Sequence, residues 1–235
     1  MNAQPEELRP AIPSLDDHDV AEVQRLLGIE TDGRFGPETA AAVAAWKRSR
    51  GQAPSPELTD DELRALLADV PLLAAVEMER WALARLEEVP RGSNRVPTLV
   101  SAATKFGVAP SLAAMGYPWC SFAVFLAALW HGGETADLGL RKRAFNAVYT
   151  PAVLAAAKAR AFGLQTVPPA LAFRGDLVLF DWDFAAGDSA DHVGRLVQAP
   201  AGGRVRTVDG NSGGDGQVSL RDRAIGSVRA FARDS

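Results

Sequence analysis

The feature that most restricts how this chain can fold is a change of hydrophobic period between Gly163 and Gly175. Before it, apolar residues recur at helical spacing in segment after segment. After it, short β-rich or alternating runs continue almost to the end. Helices followed by a meander of strands point to an α+β architecture. The 235 residues, nearly half apolar and about a quarter charged, have enough material for two small folded units and a packed core.

Residues 1–13 hold Pro5, Pro10 and Pro13 among polar residues and read as a loose leader. In 14–70, DHDVAEVQRLLG forms a helix with Val20, Val23 or Gln24, and Leu27 in phase, stopped by Gly28. A turn at Asp32-Gly33 leads to a second helix that opens on Pro37, buries Ala40, Val43 and Trp46, and ends at Gly51. A third starts at Thr59, where Glu62 completes a capping-box pattern, and runs through Leu63, Leu66 and Leu67. Three short helices of this kind make a small bundle.

The rest, 71–235, opens with the amphipathic segment AAVEMERWALARLEE, a connector or first helix halted by Pro90. VPTLVSAATKFG, the very apolar GYPWCSFAVFLAALWHGG and TPAVLAAAKARAFG are further helices. GDLVLFDW, HVGRLVQ, GRVRTVDGN and GSVRAFAR are expected strands.

A formal charge of −4 argues against nucleic acid, whose binders carry a basic stripe. No apolar stretch approaches the roughly 18 residues of a membrane span. The start, MNAQPEELRP, lacks the charged-then-apolar pattern of a secretory signal, so synthesis in the cytoplasm without such a signal is expected.

The single cysteine, Cys120, excludes an internal disulfide and leaves too few thiolates for a structural zinc site. It follows Gly116, Pro118 and Trp119 at the first turn of its helix, where partial positive charge and free amide donors favour a thiolate. A buried, inert, small apolar residue is the plainer reading. Of the three histidines, His131 lies further along the same helix, roughly 16 Å away at 1.5 Å per residue. His18 belongs to the N-terminal bundle, which leaves His192 at the start of a strand.

The strands carrying His192 and Asp209 are joined by APAGG and can form a hairpin. Pairing Val197 with Arg206 sets Gly194 opposite Asp209 and His192 opposite Asn211, on one side of the sheet. Such a set permits nucleophilic attack by Cys120, proton transfer by His192 and orientation of the ring by Asp209 or Asn211. An ordinary exposed hairpin has the same composition. The acidic run Asp181, Asp183, Asp188 and Asp191 is a solvated loop or, less simply, a calcium site. No metal or cofactor is expected.

RGSNRVPTLV, GYPWCSFAVF, GDLVLFDW, DHVGRLV and VDGN together resemble the CHAP family, the cysteine, histidine-dependent amidohydrolases and peptidases of peptidoglycan. The resemblance covers about two thirds of the chain and implies a papain-like CHAP domain, helices packed on an antiparallel sheet, with Cys120, His192, Asp209 and Asn211 as its catalytic set. The family commonly has glutamate where Asp209 stands. Upstream, VQRLLGIETDGRFGPETAAAVAAWKRSRG resembles the three-helix peptidoglycan-binding domain of lytic enzymes, with Trp46-Lys47 replacing its frequent phenylalanine-glutamine pair. Trp119, Asp32 and Phe35 are the candidate substrate contacts. Asp32 and Phe35 equally fit a turn and a core residue.

The expectation is therefore a monomeric peptidoglycan hydrolase, a phage endolysin or a bacterial autolysin, that cleaves an amide in the wall peptide after phage-mediated release or non-standard export. Amidase and endopeptidase need the same nucleophile and base, and the sequence does not separate them. A catalytically inactive wall-binding protein and a thiol amidase for another small amide are the alternatives.

Overall fold

The computed structural model describes residues 17–105, 119–131, 149–182, 189–212 and 216–234. They fall into two compact units, divided between Asp69 and Val70.

The first unit holds α1 (Asp17–Leu27), α2 (Pro37–Ser49) and α3 (Asp60–Leu67). Val23, Leu26, Val43, Trp46 and Leu66 form its buried interior. The capping box forms as its sequence pattern requires: Glu62 N–H donates to Thr59 Oγ1 at 3.2 Å, and Thr59 N–H to Glu62 Oε2 at 2.8 Å. Trp46 closes the far end, its indole donating to Asp69 Oδ2 at 3.0 Å.

The second unit contains α4 (Val70–Leu83), α5 (Pro97–Lys105), α6 (Cys120–Trp130) and α7 (Thr150–Ala159). Its strands are β1 (Gln165–Val167), β2 (Leu177–Phe180), β3 (His192–Leu196), β4 (Arg204–Ser212), β5 (Gln217–Ala224) and β6 (Val228–Arg233). They make one antiparallel sheet in the order β1-β6-β2-β3-β4-β5. The class is α+β.

Two strands were not anticipated. β1 is short, and β5 buries only Val218 fully while carrying Arg221, Asp222 and Arg223, so its apolar alternation is too weak to read. The helix expected over AAVEMERWALARLEE starts earlier and stops at Leu83, with Arg85 in the left-handed region. Leu86 and Glu88 then bond the β5 side of the sheet: Val218 N–H donates to Leu86 O and Glu88 N–H to Gly216 O, both at 2.9 Å. Backbone satisfaction at an edge strand overrides the helical spacing.

Every residue of α6 from Cys120 to Leu129 is buried, as an all-round apolar helix must be. It packs on β3 and β4 and is flanked by α4 and α5. Along β3, Val193 and Arg195 turn to the helices, whereas Leu196 joins Val178, Phe180, Val205 and Phe231 in a second cluster on the opposite face. Gly202 and Gly203, both at positive φ, close the β3–β4 hairpin in the manner of a type I′ turn. Among the described residues no helix is long and apolar enough to cross a membrane.

Arg195, fully buried, is the lock between helix and sheet. Its Nε and Nη2 donate to Val124 O of α6 at 3.3 and 3.0 Å, and Nη1 donates to Gly175 O at 2.8 Å. Nη1 and Nη2 also pair with the two oxygens of buried Asp234. All five guanidinium donors are thereby used. Arg195→Met is expected to leave Asp234 as an unpaired buried charge and to cost about 3–5 kcal/mol in urea denaturation.

Candidate active site

Cys120 is the first residue of α6, with Trp119 as its N-cap, so the sulphur sits at the positive end of the helix beside amides without intrahelical acceptors. Gly210 on β4 lets this end approach the sheet. A Cβ there would lie 2.7 Å from Ala123 Cβ and 2.8 Å from the Trp119 ring. The Trp119 indole is held from behind by Glu88 Oε1 at 2.8 Å.

The hairpin delivers the other two groups. Val197 N–H donates to Arg206 O at 3.0 Å and Gly194 pairs with Asp209, the register that the sequence suggests. His192 and Asp209 are thus diagonal neighbours. A Cβ on Gly194 would overlap the Asp209 carboxylate, so glycine at 194 is what allows that carboxylate to lie against the imidazole. His192 Nε2 stands 3.1 Å from Asp209 Oδ2. The other ring nitrogen, Nδ1, is left for the thiol, whose ionisation the ring promotes.

Burial alone would raise the Cys120 thiol. The hydrogen bond and charge of His192, the Thr150 hydroxyl 3.7 Å from the sulphur and the Val193 N–H outweigh it and bring the thiol down to about 7. For His192, burial works against the charged ring, but hydrogen bonds to Asp209 and Cys120 and the charges of both lift it to about 9. Asp209, fully buried, is held below the usual carboxylate range: His192 and the Arg223 charge overcome its desolvation. A thiolate facing an imidazolium that a carboxylate orients is equipped for nucleophilic attack on a carbonyl and protonation of a leaving amine.

Asn211 does not face His192 in the ladder. The β3–β4 pairing ends at Gly194 and Asp209, the β4–β5 register shifts between Asp209 and Ser212, and Asn211 takes positive φ. Its Nδ2 lies 3.4 Å from Asn94 Oδ1. Of the two, it is Asp209 that contacts the His192 ring.

Trp119 also departs from expectation. It is buried, packed over Gly210 and bonded to Glu88, so it supports Cys120 from within instead of offering a face to substrate. Asp32 Oδ1 accepts from Gln24 Nε2 at 2.7 Å and Arg34 N–H at 2.9 Å, which commits it to its turn; Phe35 is half-buried. His131 caps the far end of α6, with Glu77 Oε2 3.9 Å away. The His18 side chain, Asp183 and Asp188 lie outside the described residues. Asp191 receives the Trp182 N–H at 2.8 Å, and no cluster suited to a metal is found among the described residues.

Sequence reasoning missed Thr150, Glu88 and Arg223, and it placed Gly194 opposite Asp209 without drawing on its missing side chain. Gly194 had a signal: a glycine paired across the hairpin from the acidic residue. Thr150 and Arg223 had none, because helix packing and an edge strand bring them in.

Comparison with family models, with curated proteins and with solved structures yields no match to this chain.

Alkylation by iodoacetamide should follow the thiolate, rising to half its maximum near pH 7 in the native protein. Burial remains and its counterweight goes in His192→Ala, so the midpoint should move upward, to about 8.5 or beyond. A midpoint that ignores the histidine contradicts the pair.

Proposed function

We propose that this chain is a metal-independent thiol hydrolase that cleaves an amide bond in the peptide part of bacterial peptidoglycan. The observation that carries the reaction type is the group of side chains at the start of α6: buried Cys120 at a helix N-terminus, and His192, which favours its thiolate and whose Nε2 is 3.1 Å from Asp209 Oδ2. The choice of substrate rests on the sequence resemblance to CHAP-family hydrolases and to the three-helix wall-binding domain.

In the acylation half, the Cys120 thiolate adds to the scissile carbonyl carbon, and the carbonyl electron pair moves to oxygen. First-turn amides of α6 would receive that oxyanion. On collapse the C–N bond breaks, the imidazolium of His192 gives its proton to the departing amine, and a thioester remains. Water then adds to the thioester while neutral His192 takes its proton. The C–S bond breaks, a carboxylic acid leaves and the thiolate–imidazolium pair is restored. Asp209 keeps Nε2 protonated and the ring in one orientation throughout.

The first unit would contribute binding. Tethering the catalytic unit to the polymer raises its effective concentration at the next cleavable amide without any new catalytic contact.

Cys120 is only 3% exposed, and that observation favours a second reading, a wall-binding protein with an inert thiol. Cys120→Ala separates the two. Lysis of purified sacculi should disappear while their binding persists, whereas lysis retained by the variant removes Cys120 as nucleophile. Deleting residues 1–69 should weaken sedimentation with sacculi more than it slows turnover of a soluble muropeptide, and mass spectrometry of the released fragments identifies the bond.

A further inference from the structure

The strand that the sequence concealed, β5, carries a group that reaches the relay. Arg223 sits on this edge strand, yet its side chain is only 18% exposed. Its Nη1 lies 2.6 Å from Asp209 Oδ2 and donates to Thr207 Oγ1 at 3.0 Å. Its guanidinium carbon is 4.7 Å from the Phe180 ring centroid and 5.4 Å from that of Trp182. Neighbouring arginines behave differently: Arg221 bonds Ser212 Oγ at 2.6 Å, and Arg204 pairs with Asp222 at the solvent surface.

We propose that Arg223 is a positioning residue of the relay, which holds the Asp209 carboxylate against His192 and limits how much of its charge the imidazole receives. This deepens the hydrolase reading and rests on the roles given there to Cys120, His192 and Asp209.

The geometry on one oxygen carries the argument. Asp209 Oδ2 serves His192 Nε2 at 3.1 Å and Arg223 Nη1 at 2.6 Å, while Oδ1 is buried and meets no hydrogen-bond partner among the described residues. A carboxylate removed from water and facing only an imidazolium would bind that proton's charge too firmly, and the ring would give it up reluctantly to a leaving amine. A guanidinium is permanently charged, so on the same oxygen it divides the attraction at every working pH.

The aromatic pair fixes both cations at once. Phe180 pairs with His192 across β2 and β3, and Trp182 stacks on Phe180 at 5.2 Å with 10° between planes. Their rings lie 6.2 and 6.0 Å from the imidazole and within cation–π range of Arg223. The titratable groups that act on His192 are Asp209 from β4 and Cys120 from α6; Arg223 from β5 reaches it through the shared Asp209 oxygen, and Phe180 of β2 and Trp182 just beyond that strand contribute uncharged rings. Asp191, its chain neighbour, is bonded to the Trp182 amide.

The test uses the full chain with isotope-labelled histidine and arginine, the His192 ring signals assigned with His192→Gln. The ring is titrated by NMR in the native protein, Arg223→Met and Arg223→Lys. With cooperative unfolding retained, Arg223→Met should raise the His192 midpoint by about half a unit or more, and Arg223→Lys should recover most of the native value. Turnover of a soluble muropeptide by Arg223→Met should lose about tenfold in kcat with KM little changed.

An unchanged midpoint in folded Arg223→Met overturns the proposal. If that variant does not fold, the native protein decides: slowly exchanging guanidinium N–H signals of Arg223 uphold the clamp, and rapidly exchanging, averaged ones overturn it. Neither NMR measurement needs a substrate. A native protein that fails to cut sacculi while the ring titrations behave as stated refutes the wall reading and leaves Arg223 in its role.

Discussion

The buried guanidinium of Arg195 is the constraint on which the second unit turns. It joins a carbonyl in the second turn of α6 to strand β3, the turn before β2 and the carboxylate of Asp234, and it has no donor left over. Cys120 opens that helix and His192 opens that strand. Their separation is therefore constrained by a bond network a few residues from each. Rigid elements pinned by buried, saturated hydrogen bonds are what a two-residue proton relay requires.

Space matters as much as bonding. Gly210 admits the Trp119 and Ala123 side chains, so the start of α6 lies close to β4, and Gly194 leaves room for a carboxylate beside the imidazole. Both are missing side chains at places where the backbone itself is ordinary. The relay also depends on a low-dielectric setting: desolvation opposes every charged form, and each is retained only because an opposite charge or donor is within hydrogen-bond reach. Thiolate, imidazolium, carboxylate and guanidinium alternate in charge, so buried Cys120 and Asp209 and half-buried His192 and Arg223 can ionise with little net charge.

The first unit shows the same economy with simpler means. Gln24, an amide in an otherwise apolar helix face, gathers Asp32, Arg34 O and Thr39 around one turn, and its Oε1 accepts the Gly33 N–H. The DGRFGPET segment is thereby ordered from inside. In the proposed enzyme, this turn gives the unit its shape, and wall contacts would come from its surface.

Sequence alone determined the α+β class, most helix positions, the Thr59 capping box, and the hairpin register that pairs Gly194 with Asp209. Those properties are local: periodicity, caps and turn glycines act over a few residues, and alternation of side chains fixes which residues share a face. It also singled out Cys120 and His192, because one cysteine and three histidines leave few partners. Tertiary structure decided what involves distant segments. It ended α4 at Leu83 so that Leu86 to Glu88 could satisfy a sheet edge, turned Asn211 away at a bulge, and buried Trp119 on Glu88. It also brought Thr150 and Arg223 to the relay from a helix start and a polar edge strand. No period or spacing encodes those meetings, since they depend on which surfaces pack once the core has formed.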